Sequence, residues 1–354
     1  MKSEVYFVKV NALDTQARAR ALERLLDAAG RFLTYKKAEF VPVKITIGDS
    51  PCVYHLKPEL VKVIISRIKE QGAKPFLFDT SVIYHGSRQN AVDHLNLAES
   101  KGFGQAKTGC PFIIADGLLG QDGKELAVNG PEIKKVKVPS FVGMIEQLLV
   151  LSHVTGHIVS GYAAAIKNVG MGMSCRPTKQ LQHSGLKPSV ITKSCTACEC
   201  CIAVCPVNAI TLKEGKALIN QQACIGCAEC LCACKFNAIT INWQEDPQVF
   251  CRRMVDVTLA ILSRFKQAFF LNFALDITKE CDCISAKDEK MAAENIGILA
   301  SSDILSLDKA TADLALEHKK TDYFADKLKI YQGMFEYAAK QDLGSLEYRL
   351  VRLE

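Results

Sequence analysis

Cys195-Thr-Ala-Cys198-Glu-Cys200-Cys201-Ile-Ala-Val-Cys205-Pro-Val-Asn-Ala-Ile-Thr-Leu212 is followed by Cys224-Ile-Gly-Cys227-Ala-Glu-Cys230-Leu-Cys232-Ala-Cys234-Lys-Phe-Asn-Ala-Ile-Thr-Ile241. The second stretch repeats the first at an offset of 29 residues, and each copy spaces four cysteines as C-x2-C-x2-C-x3-C. Ten of the sixteen cysteines of the chain lie between Cys195 and Cys234. A four-cysteine zinc site needs only four ligands and does not call for a duplicated, evenly spaced set of eight. Cys200 and Cys232 fall at non-equivalent places in the two copies and read as small buried fillers. Lys213-Glu-Gly-Lys216 reads as a tight turn between two short strands, Ala209–Leu212 and Ala217–Asn220.

The repeat resembles the bacterial two-cluster ferredoxins, in which three closely spaced thiolates wrap one cubane cluster and the fourth reaches the neighbouring one. That resemblance implies two 4Fe–4S clusters. One would be held by Cys195, Cys198, Cys201 and Cys234, the other by Cys224, Cys227, Cys230 and Cys205. Pro206 matches the usual proline after the fourth cysteine, whereas Lys235 in the second copy departs from it. Residues 191–243 hold four lysines against three acidic residues. Free ferredoxins are strongly acidic, so this balance favours electron transfer within a larger protein.

Around this segment the pattern is different. A chain of 354 residues with 49% hydrophobic and 23% charged side chains is a folded protein of about two ordinary domains. The net charge of +6 is too mild to argue for nucleic acid. The amino-terminal residues alternate polar and apolar like a first strand and lack the apolar run of a secretory signal. The greasiest later stretch, Leu259 to Leu275, is broken by Arg264 and Lys266, so no membrane span is expected. A cytoplasmic location with unpaired thiols follows as an expectation.

Apolar periodicity predicts helices from Thr15 to Ala29 and from Pro58 toward Gly72, strands at Pro75–Phe78 and Pro111–Ala115, and a helix at Arg88–Ser100. After the cysteine segment come a long helix from Asp246-Pro247 toward Lys266, strands at Phe269–Leu275 and Ile296–Ala300, a helix at Ser306–His318, a helix near Met334–Lys340 and a strand at Ser345–Leu353. Strands alternating with helices predict an α/β fold with a largely parallel sheet. The economical organisation is one α/β domain, residues 1–190 and 244–354, interrupted by a small α+β ferredoxin-like two-cluster domain at 191–243. Two separate α/β domains are the alternative. In such sheets ligands sit at the carboxyl ends of strands, which makes Asp79, Thr80 and Asp116 pocket candidates.

A second constellation lies at 151–184: His153, His157, Lys167, Asn168, Gly170, Gly172 and His183. Three of the seven histidines fall here, and glycines surround the Lys167-Asn168 pair, a pattern that suits backbone wrapped around something anionic or planar. A glycine-rich loop with solvated histidines is the plain alternative. Gly170-Met-Gly172 lacks the third glycine of a dinucleotide fingerprint. These residues are expected to line a ligand pocket holding a second, unidentified cofactor or substrate, with imidazole as metal ligand or proton relay and a desolvated lysine as base or covalent anchor. Cys281-Asp282-Cys283 follows an apolar strand, where alternation would put both thiols on one face to chelate a metal. Cys52, Cys110, Cys175 and Cys251 read as packing cysteines.

The chain further resembles the uncharacterised iron–sulfur-centre proteins, an α/β domain of unknown function that often carries a two-cluster ferredoxin segment. The resemblance rests on Pro58-Glu-Leu-Val, Gly86-Ser-Arg-Gln-Asn-Ala-Val-Asp-His94, Ser152-His153, Gly156-His157 and Ala165-Ile-Lys167-Asn168-Val-Gly-Met-Gly172. It continues in Glu280-Cys-Asp-Cys283 and Ile296-Gly-Ile-Leu-Ala-Ser301-Ser-Asp303, although the family usually has Asp at the place of Glu280 and Asp-Pro at the place of Asp303-Ile304. More remotely, the spacing of His157, Lys167 and His183 is similar to that of the residues holding the nickel-pincer nucleotide in the amino-terminal domain of lactate racemase. Three functions are therefore in view. One is an oxidoreductase whose clusters exchange electrons with the α/β pocket, served by a redox partner protein or a small electron carrier. The others are an electron-transfer or maturation module docking to a partner enzyme, and a nickel-pincer-like isomerase with accessory clusters.

Overall fold

A computed structural model describes residues 2–11, 14–84, 86–183, 188–224, 229–240, 246–283, 290–317 and 322–354. Eight strands form one sheet: β1 (Ser3–Lys9), β2 (Phe40–Lys44), β3 (Lys74–Asp79), β4 (Phe112–Ile114), β5 (Gln147–His153), β6 (Gln267–Ala274), β7 (Gly297–Ser301) and β8 (Tyr348–Leu353). Their spatial order is β8-β1-β7-β6-β5-β2-β3-β4. Only β7 runs against its neighbours, so five of the seven pairings are parallel. Strands from before and after the cysteine segment pair directly, β5 with β6 and β1 with both β7 and β8.

The sheet is covered on both faces because its strands are apolar on both sides. In β5, Val150 packs into one core layer while Leu149 and Leu151 pack into the other. The second layer is completed by α1 (Thr15–Ala28) and α2 (Pro58–Glu70), through Leu22, Leu25, Leu26, Val61, Ile64 and Ile65. Asp14 caps α1 by accepting the amides of Gln16 and Ala17, and Pro58 opens α2 where its missing N–H costs nothing. The helix α3 (Ala91–Ser100) is capped by the Asn90 side chain, so the helix expected from Arg88 begins three residues later. The first layer takes α4 (Ala165–Gly170), α5 (Arg176–His183), α6 (Pro247–Leu262), α7 (Ile304–Glu317) and α8 (Leu328–Lys340). The helix α6 ends at Leu262, short of Lys266.

Two central strands were not visible in the periodicity. Phe40-Val-Pro-Val-Lys44 carries a proline and a lysine, yet β2 pairs on both sides and Lys44 is fully buried. Gln147-Leu-Leu-Val-Leu-Ser-His153 reads as an undifferentiated apolar run.

The cysteine segment folds beside this sheet as small pieces. A hairpin joins Ile210–Lys213 to Lys216–Ile219, Ser189–Val190 pairs with Ile239–Thr240, and short helices Cys200–Ala203 and Glu229–Ala233 pack on each other. Its apolar core is separate and includes Cys195, Cys201, Ile210, Ile219, Cys230 and Ile239.

Candidate functional site

The strands β2, β3, β5 and β6 end at a common edge, and a cavity of about 620 Å³ opens there. Thr46 follows β2, Asp79 and Thr80 close β3, Ser152, His153 and Thr155 come from the end of β5, and Cys281, Asp282 and Cys283 lie in a turn beyond β6. The helices α4 and α5 supply Lys167, Asn168, Lys179 and His183. Parallel strands deliver their carboxyl ends to one edge, where ligand sites of α/β sheets form. His153, His157, Lys167, Asn168, Gly172, His183, Cys281 and Cys283 therefore stand around one space.

Their roles are unequal. His153 is a buried ion-pair partner: Nδ1 lies 2.8 Å from the Asp282 carboxylate and Nε2 lies 2.9 Å from the Leu275 carbonyl oxygen. Both partners only accept, so the ring is held doubly protonated. Burial opposes that charge, but Asp282 outweighs it and holds the His153 pKa above its ordinary value. His157 is the opposite case. Its Nδ1 accepts the amide of Ser160 at 3.0 Å, which leaves a proton on Nε2, and burial with nearby Lys167 keeps the ring neutral. His157 thus offers a donor rather than a lone pair. The rings of His157 and His183 both pack on Phe250, with centroids 5.8 and 4.9 Å away.

Asn168 is a clamp. It accepts from Lys44 Nζ at 2.8 Å and donates to the Leu151 carbonyl at 2.9 Å and to Ser152 Oγ at 3.1 Å. Lys44 in turn pairs with Asp79 at 3.0 Å. The second Asp79 oxygen faces Arg88 and His94 at 3.7 and 3.6 Å. Burial raises the Asp79 pKa, but Lys44, with Arg88, prevails and holds it below the usual carboxylate value, while burial keeps His94 neutral with a pKa of about 3. Lys179 donates to Thr80 Oγ1 at 2.6 Å and to the Ser81 carbonyl, and burial pulls its pKa down to about 8. Arg88, Lys167 and Lys179 on the wall outnumber Asp79 and Asp282. That excess suits an anion.

Two expectations need correction. Gly170 does not reach the cavity: a Cβ there would meet Thr258 and Met254 of α6, so it is a close-packing glycine between helices. Gly172 does line the cavity, and a Cβ there would strike the Asn168 carbonyl oxygen and Lys44 Nζ. Asp116 stands behind the wall, where both carboxylate oxygens accept the Ser81 amide and burial lifts its pKa to about 6. Lys44, Tyr84, Arg88 and Lys179 were missed. The one available signal was Lys179 and His183 four apart, on one helix face.

Cys281 and Cys283 sit in a turn rather than on the strand, so alternation does not explain their shared direction. Their side chains hydrogen-bond each other, and Lys167 Nζ lies 3.9 Å from Cys283 Sγ. Among the described residues no three Cys, His, Asp or Glu side chains converge as they would on a single metal ion.

In the cysteine segment, Cys195, Cys198, Cys201 and Cys234, together with Cys200, line one small space of about 20 Å³. Cys227 lies outside the described residues. The duplicated halves repeat in detail: Cys205 Sγ accepts the Ala209 amide and Cys234 Sγ accepts the Ala238 amide, both at 3.2 Å. Asn208 and Asn237 both have positive φ, 51° and 50°. Cys200 is half-buried and hydrogen-bonds Cys198 instead of filling a core. Cys52, Cys110, Cys175 and Cys251 are buried. The helix Glu229–Ala233 packs against α5, which carries Lys179 and His183.

The molecule is thus a mixed α/β protein with a large, mostly parallel sheet, several small sheets and a cationic cavity at the strand ends. The chain belongs to the family described as Domain of unknown function (DUF362), which matches residues 41–313. No curated protein matches it. Among solved structures it is similar to a Thermotoga maritima protein with a TM-score of 0.45 and 11% identity, over 94% of this chain and 60% of that one. It is also similar to the lactate racemase apoprotein from Thermoanaerobacterium thermosaccharolyticum with a TM-score of 0.43 and 11% identity, over 86% of this chain and 55% of that one. The chain spans between half and two thirds of the length of either protein.

Proposed function

We propose that the protein is an iron–sulfur oxidoreductase in which a ferredoxin-like segment serves an anion-binding cavity of the α/β domain. The observation that carries this reading is that Cys195, Cys198, Cys201 and Cys234 surround one space, as the crossed ligand pattern of a two-cluster ferredoxin requires. Cys224, Cys227, Cys230 and Cys205 would hold the second cluster. Two 4Fe–4S clusters would supply single-electron transfer. The donor set suits them: amides of Ala217, Ala209 and Ala238 already point at the sulfurs of Cys195, Cys205 and Cys234. A cubane is a body to be wrapped, so its thiolates surround it without meeting at a single-ion centre.

Two features of the segment support such a role. Cys198 is exposed, open to a redox partner or a small electron carrier, while the helix bearing Cys230 lies against the helix that forms the cavity wall. In the cavity, Arg88, Lys167 and Lys179 would bind the anionic group of a carboxylate or phosphate compound, and the Nε2–H of neutral His157 would donate to it. Anaerobic purification tests both halves. About eight irons with matching sulfide per chain are expected, and phosphate or a dicarboxylate should protect the cavity in a binding assay that Lys167→Met weakens without loss of iron. Stoichiometric zinc without sulfide would overturn the cluster reading; anion binding indifferent to Lys167→Met would overturn the cavity reading.

A further inference from the structure

The cavity contains a pair of thiols that neither cluster uses. Both line the cavity, Cys283 half-buried and Cys281 buried. The two side chains are in hydrogen-bonding contact across the single residue Asp282. Asp282 is itself pinned, by its carboxylate to His153 at 2.8 Å and by its carbonyl, which accepts the Asp49 amide at 2.9 Å. The turn is therefore fixed at its middle, with the two thiol side chains in contact. Three donors surround Cys283 Sγ: the Cys281 thiol, the Tyr84 hydroxyl and Lys167 Nζ, with Arg88 nearby. A cation and hydrogen-bond donors gathered around one sulfur favour its thiolate, and Cys283 is the sulfur that Lys167 approaches.

We propose that Cys281 and Cys283 form a reversible dithiol–disulfide couple in the cavity, with Cys283 as the attacking sulfur and Cys281 as the resolving one. The oxidant is a low-molecular-weight disulfide, RSSR. Cys283 thiolate attacks one sulfur and forms a mixed disulfide while the S–S bond of the reagent breaks and RS⁻ departs. Cys281 then gives up its proton to solvent or to the departing thiolate. Its sulfur attacks Cys283, the mixed disulfide breaks, and the second RS⁻ leaves. The protein pair is oxidised by two electrons and RSSR is reduced to two thiol equivalents. Lys167 positions and charges the attacking sulfur. This couple does not depend on the clusters, since the reagent supplies the oxidising equivalents.

The test uses anaerobically purified full-length protein titrated with oxidised glutathione, followed by tryptic mapping of the peptide Glu280–Lys287. The peptide is expected to lose two hydrogens without gaining glutathione, and dithiothreitol should restore it. In Cys281→Ala the same peptide should retain glutathione on Cys283. In Lys167→Met the reaction should slow by about tenfold or more. Glutathione accumulating on the wild-type peptide without internal disulfide, no reaction of the wild-type peptide, or faster attack by Cys281 than by Cys283 would each overturn the proposal. Iron content measured on the same sample keeps this result separate from the cluster reading.

Discussion

Asp282→Ala removes the carboxylate against which the His153 imidazolium is held, and with it the anchor of the turn that carries both cavity thiols. The pair is almost fully buried, with side-chain exposures of 3% for His153 and 6% for Asp282. Removing one partner of a buried, hydrogen-bonded ion pair costs about 3–5 kcal/mol. His153 can shed its proton, which places the loss at the lower end, about 3 kcal/mol. With an unfolding entropy of about 2.1 cal/mol/K per residue over 354 residues, that loss lowers Tm by about 4 °C. Asp282→Asn preserves the shape and a hydrogen bond and should cost less than half as much. The pH dependence has a defined sign. The His153 pKa is raised above its ordinary 6.5, so its contribution is complete below 6.5 and fades as pH rises through the folded value. Asp282 is held below its ordinary 3.8, so its contribution is present above 3.8 and is lost as pH falls through the folded value. The Tm gap between wild type and Asp282→Ala should therefore be widest between about pH 4 and 6.5 and narrow in alkali. Thermal melts by circular dichroism across that range measure it. A gap below about 1 °C, or one that widens above pH 8, would refute the reasoning.

Other outcomes follow from the same geometry. Arg18→Ala should cost about 3–5 kcal/mol in denaturant unfolding, since Arg18 holds Asp276 through two buried bonds of 2.6 and 2.8 Å, and Arg18→Lys should not restore a two-bond pairing. Lys44→Met should shift acid unfolding to higher pH. Asp79 is held low by Lys44 and Arg88 against burial, and its stabilisation, present above 3.8, would then be lost sooner as pH falls. Gly172→Ala should cost about 1–3 kcal/mol and weaken anion binding, because its Cβ would lie 2.3 Å from the Asn168 carbonyl oxygen and 2.6 Å from Lys44 Nζ. Gly30→Ala, with nothing within 4 Å, should unfold like wild type.

Most helices and six of the eight strands were legible because apolar periodicity and caps are local signals: Pro58 at the start of α2 and the Leu22–Leu26 stripe of α1 carry them. The strands β2 and β5 and the short site helices α4 and α5 were not. β2 hides Pro42 and Lys44 within the most enclosed part of the sheet, and only its neighbours supply the partners that make a buried lysine tolerable. The composition of residues 151–183 pointed to a ligand site, and His153, His157, Lys167 and His183 do meet. Their division of labour depends on their partners, the distant Asp282 for His153 and the local Ser160, three residues on, for His157, and composition alone does not encode it. Gly170 and Gly172 look alike in sequence, yet one packs against α6 and the other faces the cavity.

The central claim is that eight cysteines of residues 191–243 hold two electron-carrying clusters beside the cavity. Electron paramagnetic resonance of anaerobically purified, dithionite-reduced protein tests it most directly. The account predicts two magnetically interacting reduced 4Fe–4S signals, integrating to about two spins per chain. A protein that contains zinc and gives no signal on reduction would contradict it.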